Sequence, residues 1–88
     1  MKMYVTVEIT KGWETWNKMS EEMNPEMESE GIKFIFKGCE MDEKKVNVIL
    51  KFESMEKVKE FPFRPDIVER RVESGTVLES TVMIPLKN

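Results

Sequence analysis

Met3, Val5, Val7 and Ile9 alternate with Tyr4, Thr6 and Glu8, and a few residues later the apolar period lengthens from two to about 3.6. No feature constrains the fold more. A chain that changes period in this way must lay a half-buried strand beside an amphipathic helix. The helical stretch is "KGWETWNKMSEEM", in which Trp13, Trp16, Met19, Ser20 and Met23 fall within an arc of about 120°. Thr10 is placed to cap it, and Asn24-Pro25 should break it, because the residue before proline avoids helical backbone. A second short turn from Pro25 to Glu30 would then end at Gly31.

The period returns to two in "GIKFIFKG", with Ile32, Phe34 and Phe36 against Lys33, Ile35 and Lys37. After the polar "EMDEKK" comes "KVNVILKF", with Val46, Val48, Leu50 and Phe52 on one side, so the two runs form an antiparallel hairpin. Ser54 caps "MEKVKEF"; Pro62 and Pro65 interrupt it, and a helix from Pro65 stops at Gly75. "TVLESTVMIPL" is a last strand, with Pro85 marking an edge or an end. The order β-α-β-β-α-β is the ferredoxin-like α+β unit, an antiparallel four-stranded sheet with strand order 4-1-3-2 and both helices on one side. Residues 1–88 are expected to form one such domain.

Helices on one side cover one face of the sheet. Alternation assigns to that face Met3, Val5, Val7, Ile9, Ile32, Phe34, Phe36, Val46, Val48, Leu50, Phe52, Leu78, Val82 and Ile84. It leaves Tyr4, Thr6, Glu8, Lys33, Ile35, Lys37, Cys39, Asn47, Ile49, Lys51, Val77, Glu79, Thr81 and Met83 open. Six of these fourteen are apolar or cysteine, more than a solvated face needs, so a second copy of the chain is the expected cover. Tyr4, Glu8, Ile35, Ile49, Glu79 and Met83 are the candidate dimer-face residues.

Composition narrows the function. Seventeen acidic against fourteen basic residues give a net charge of −3, which argues against nucleic acid or an anionic membrane as partner. An RNA-binding fold of this topology would also want aromatics on the open face, where only Tyr4 qualifies. There is no histidine, hence no histidine-ligated haem, no histidine zinc site and no Ser-His or Cys-His nucleophile. No metal-ligand spacing or phosphate-binding loop occurs, and neither metal nor cofactor is expected. The lone Cys39 fits a reducing compartment, and "MKMYVTVEIT" lacks the apolar run of a signal peptide; the expected location is the cytoplasm.

Two readings stand for Trp13 and Trp16: anchors of a helix on its sheet, or walls of a ligand pocket. With Phe34, Phe36, Phe61, Phe63 and the neighbouring Arg64 of "FPFRPD", they are the candidate ligand-binding residues, Arg64 being able to meet an anion. Glu8 and Glu79 could form a proton-transfer pair or join Lys33, Lys37 and Lys51 in ordinary cross-strand contacts.

The strand "MYVTVEI", the helix "GWETWNKM", the strand "EGIKFIFKG" and the closing "ESGTVLESTVMI" together resemble the dimeric α+β barrel superfamily, which holds antibiotic-biosynthesis-monooxygenase-like and stress-responsive barrel domains. The likeness is to its short bacterial members, cyanobacterial ones among them, and it rests on order and pattern without a catalytic motif. It implies a homodimer formed through the sheets and a cavity that binds or converts a small hydrophobic or aromatic molecule without a metal. Haem-degrading members use a histidine that this chain lacks. The competing expectation is a non-catalytic regulatory or stress-related dimerisation module.

Overall fold

In the computed structural model, which describes residues 1–87, four strands form one antiparallel sheet in the order β2-β3-β1-β4. These are β1 (Lys2–Ile9), β2 (Ile32–Cys39), β3 (Lys45–Phe52) and β4 (Thr76–Leu86). Three helices connect them: α1 (Trp13–Ser29), α2 (Met55–Glu60) and α3 (Pro65–Glu73), the last two joined by a 3-10 turn over Phe61–Phe63. The fold is the expected ferredoxin-like α+β arrangement. Among the described residues no helix is long and apolar enough to cross a membrane.

Three local expectations are corrected. The first helix does not break at Asn24-Pro25 but runs through Pro25 to Ser29. Proline there withholds one N–H from the helix and crowds the preceding turn, at a cost of about 3 kcal/mol. The buried stripe Trp16, Met19, Met23, Met27 continues past it, and burying a methionine such as Met27 stabilises by about 1.5–3 kcal/mol, which offsets much of that cost. Pro25 is exposed, so Pro25→Ala should raise stability by about 2 kcal/mol, the helix penalty less the lost stiffness of the unfolded chain. An unchanged or lower urea midpoint would show that the proline is not strained.

The second correction concerns capping. Gly12, not Thr10, precedes α1, and the Trp13 N–H donates to Oε1 of Glu43 at 2.9 Å. A carboxylate from the β2–β3 loop thus sits at the positive end of the helix. Thr10 instead binds the Gly75 carbonyl through its backbone N–H (2.9 Å) and its hydroxyl (3.3 Å). Gly75 has φ +90°, and a Cβ there would lie 2.9 Å from the Lys11 nitrogen, so only glycine closes α3 onto the start of the β1–α1 connection.

The third correction changes which residues face which way. On β2, Phe34 lies opposite Leu50 but Phe36 lies opposite Ile49, so Ile35 is an extra residue. On β4, Val77 pairs with Glu8 while Val82 pairs with Thr6, so five positions of β4 span two of β1. Odd insertions of this kind reverse the alternation beyond them. Phe36, Val82 and Ile84 therefore stand on the open face, exposed at 53%, 51% and 47%. Lys37, Cys39, Thr81 and Met83 turn to the helix side instead.

The core lies between sheet and helices, where Met3, Ile32, Val46, Val58 and Ile67 are essentially sealed from water. On the open face, Phe36, Ile49, Tyr4 and Ile84 form one apolar row across all four strands. One end of the face carries a second row, Lys33, Lys51 and Lys2, followed by Leu86. At the other end, Glu8 lies opposite Lys45 and Val77.

Candidate functional site

Between the sheet and the helices there is a cavity of about 90 Å³. Its floor is the helix side of the sheet: Val5 and Val7 of β1, Val48 and Leu50 of β3, and Phe34 of β2. The reversed alternation of β4 adds Thr81 and Met83 to that floor. The stripe of α1 that contains Trp16, Met19, Met23 and Met27 forms one wall. Opposite stand the Phe61–Phe63 turn and, from α3, Ile67 and Arg71. Phe61 is buried, whereas Phe63 is 60% exposed and marks the rim.

Two prolines divide the second helical layer at the cavity: Pro62 lies in the 3-10 turn and Pro65 starts α3, so α2 and α3 do not form one continuous helix over the sheet. Val5 and Phe34 are correspondingly only half-buried on a side of the sheet otherwise closed by core contacts.

Arg71 and Thr81 are the two lining residues with a charged or hydroxyl side chain. Arg71 follows Ile67 by one helical turn, so α3 points it inward, and it is only 9% exposed. Its Nη1 donates to the Pro62 carbonyl at 3.1 Å and its Nη2 to the Thr81 hydroxyl at 3.2 Å. Burial pushes its pKa down from the usual guanidinium range.

The candidate ligand residues separate. Trp16, Phe34, Phe61 and Phe63 line the cavity. Trp13 does not: it stacks behind Trp16 with ring centroids 5.7 Å apart and planes 24° apart. Phe36 is on the opposite face of the sheet, carried there by the Ile35 bulge. Arg64 is committed elsewhere, pairing with Asp66 at 2.9 Å and reaching Glu26 and Glu30 at 3.8 and 4.0 Å. It covers the outside of Phe61, 5.3 Å from the ring centroid. Its hydrogen bonds also hold the Asp66 carboxyl below its ordinary pKa.

Of the candidate dimer-face residues, Tyr4, Glu8 and Ile49 occupy the open face, and Ile35 is exposed within its bulge. Glu79 is exposed in the irregular part of β4, where Glu8 has Val77 and not Glu79 as its partner, so no carboxylate pair forms. Met83 belongs to the cavity. Lys37 donates from Nζ to the buried Ser20 hydroxyl at 2.9 Å and lies over the Phe34 ring. Cys39 packs against the core near the helix-capping loop; burial first, then Glu43 and Asp42, push its thiol pKa up, which disfavours the reactive thiolate.

Sequence reasoning did not single out Arg71, and it assigned Met83 to the dimer face rather than to the cavity. The signal for Arg71 was available: in "DIVERRV" it stands four residues after Ile67, on the stripe that α3 buries. Met83 had no such signal, because its facing depends on the β4 irregularity.

No protein-family model matches the chain, and no curated protein matches it in sequence. Solved structures do. A protein of Nitrosomonas europaea described as a "Putative antibiotic biosynthesis monooxygenase" superposes with a TM-score of 0.63 at 8% identity, over 100% of this chain and 98% of that one. The protein YJCS superposes at 0.59 with 20% identity, covering 99% and 100%. Rv0793 of Mycobacterium tuberculosis does so at 0.59 with 13% identity, covering 100% and 98%. At these identities the likeness establishes a shared fold over essentially the whole chain.

Proposed function

We propose that the protein binds a small apolar or aromatic molecule in the cavity between α1, α3 and the sheet. The carrying observation is a cavity whose lining is apolar except for Arg71 and Thr81, at a place where a plain core would be filled. At about 90 Å³ it is smaller than the roughly 150 Å³ that holds a benzene ring, but four lining residues are methionines, whose unbranched side chains re-pack readily. The lining offers a cation and a hydroxyl but no carboxylate or thiol, so the reading is one of binding. The described fold shared with a protein called an antibiotic biosynthesis monooxygenase agrees with a small-molecule site and names no ligand.

Trp16 makes this testable by intrinsic fluorescence. Titration with a panel of aromatic and polyketide-like compounds should quench its emission saturably, and Trp13→Phe should preserve the effect because Trp13 lies outside the cavity. A response lost in Trp13→Phe and kept in Trp16→Phe would place the ligand elsewhere. A folded protein with no saturable response to any compound would leave Trp16 as a helix anchor alone.

A second reading is favoured by the row Phe36, Ile49, Tyr4, Ile84: the open face carries another copy of the chain. Charge selects the arrangement. Stacking two copies with their β1 strands running the same way would set the lysine row against itself. With β1 strands opposed, Lys2, Lys33 and Lys51 approach the partner's opposite end, where Glu8, Asp42 and Glu43 outnumber Lys44 and Lys45.

A further inference from the structure

The sequence holds three arginines, and two are paired: Arg64 with Asp66, Glu26 and Glu30, and Arg70 with Glu26 at 2.9 Å. The third, Arg71, is the most buried, and among the described residues it has no carboxylate partner. This inverts the usual relation between burial and pairing. Among the described residues its only acceptors are a peptide carbonyl and a hydroxyl, which take two of the five N–H groups on the guanidinium. These contacts tie the side chain to the Phe61–Phe63 turn and to β4, and the group borders a cavity whose lining is otherwise apolar apart from Thr81.

A buried cation without a counter-charge costs stability, and an apolar side chain of similar length would fill the same space without that cost. The arrangement is therefore not accounted for by packing. A planar donor fork, fixed by two neutral acceptors and facing apolar space, is instead suited to an oxyanion carried by an apolar body.

Resting on the reading of this cavity as a ligand site, we infer that Arg71 is its anion anchor, and that the ligand class is a carboxylic acid with a small aromatic or aliphatic body. The carboxylate meets the free N–H edge of Arg71, and the Thr81 hydroxyl, engaged by Nη2, steadies the guanidinium rather than reading the ligand. The apolar body lies among Trp16, Phe34 and the α1 methionines, which shift to admit it. Neutral and cationic molecules of the same shape lose the charge-assisted pairing and leave the arginine buried without a partner.

The test uses matched probes on the intact protein: a series of phenylalkanoates of increasing chain length, the corresponding phenylalkanols, and the corresponding amines. Binding is read by calorimetry and by the methyl resonances of methionine, which report on Met19, Met23, Met27 and Met83 directly. In the native protein the carboxylate of best length should bind at least about tenfold more tightly than its alcohol, and the amine should be weakest. Arg71→Met should abolish that preference while the alcohol still binds, and Arg71→Lys should keep part of it. Alcohol binding equal to or tighter than carboxylate binding in the native protein overturns the anchor and leaves the cavity reading standing. Perturbation of methionine methyls by no probe overturns the cavity reading and the anchor with it. The native comparison needs no variant, so it decides the matter even if Arg71→Met does not fold.

Discussion

Trp16→Ala should destabilise the protein by about 3–5 kcal/mol, a large part of the roughly 4–13 kcal/mol available to a chain of this length. Trp16 is only 6% exposed, lies in the middle of the α1 stripe, and touches the cavity that its removal would enlarge. Trp13→Ala should cost only about 1–2 kcal/mol, since that ring is half-buried and contributes mainly its stacking on Trp16. Denaturant unfolding followed by far-ultraviolet circular dichroism separates the two without relying on their fluorescence. Equal losses for both variants would mean that the pair acts as one unit, contrary to their different burial.

The second large effect is expected on the other side of the sheet. If the open face carries a second copy, Ile49→Lys combined with Ile84→Lys places two cations at the centre of the contact. Ile49 lies between Phe36 and Tyr4, and Ile84 lies beside Tyr4, with no carboxylate in that row, so desolvating such charges unpaired should weaken association by at least about 100-fold. Sedimentation equilibrium should find the native protein dimeric at micromolar concentration and the double variant monomeric, with unchanged far-ultraviolet spectra. A native protein that remains monomeric up to roughly 100 µM, a concentration at which even weak specific contacts are populated, would remove the dimer reading altogether.

The order of strands and helices was legible because period-two and period-3.6 runs are long and separated by polar or glycine-containing links. What could not be read was parity. The run Phe34-Ile35-Phe36 satisfies either facing, and nothing in its pattern marks the bulge that falls at Ile35. In β4 the polar "EST" marked the irregularity without giving its size; Ser80 accepts the Glu8 N–H at 2.8 Å in place of a ladder carbonyl. Two exchanges followed. Phe36 left the expected ligand set for the open face, and Met83 moved from the open face to the cavity. The anion-meeting residue was expected at Arg64, beside its aromatics, but neighbouring carboxylates neutralise it, a contact that only the tertiary fold brings about. The uninterrupted α1 escaped for the same reason: proline's local preference is offset by tertiary burial of the stripe that continues to Met27.

Both irregularities lie on the outermost strands, β2 and β4, and β4 also carries Pro85 opposite Met3. An outer strand offers its unpaired N–H and C=O groups to any other strand it meets, which is how sheets grow into fibres. A bulge on one border, and a longer irregularity with a missing N–H donor on the other, break the regular spacing that such growth needs. Both borders of the sheet are thereby poor templates for a further strand.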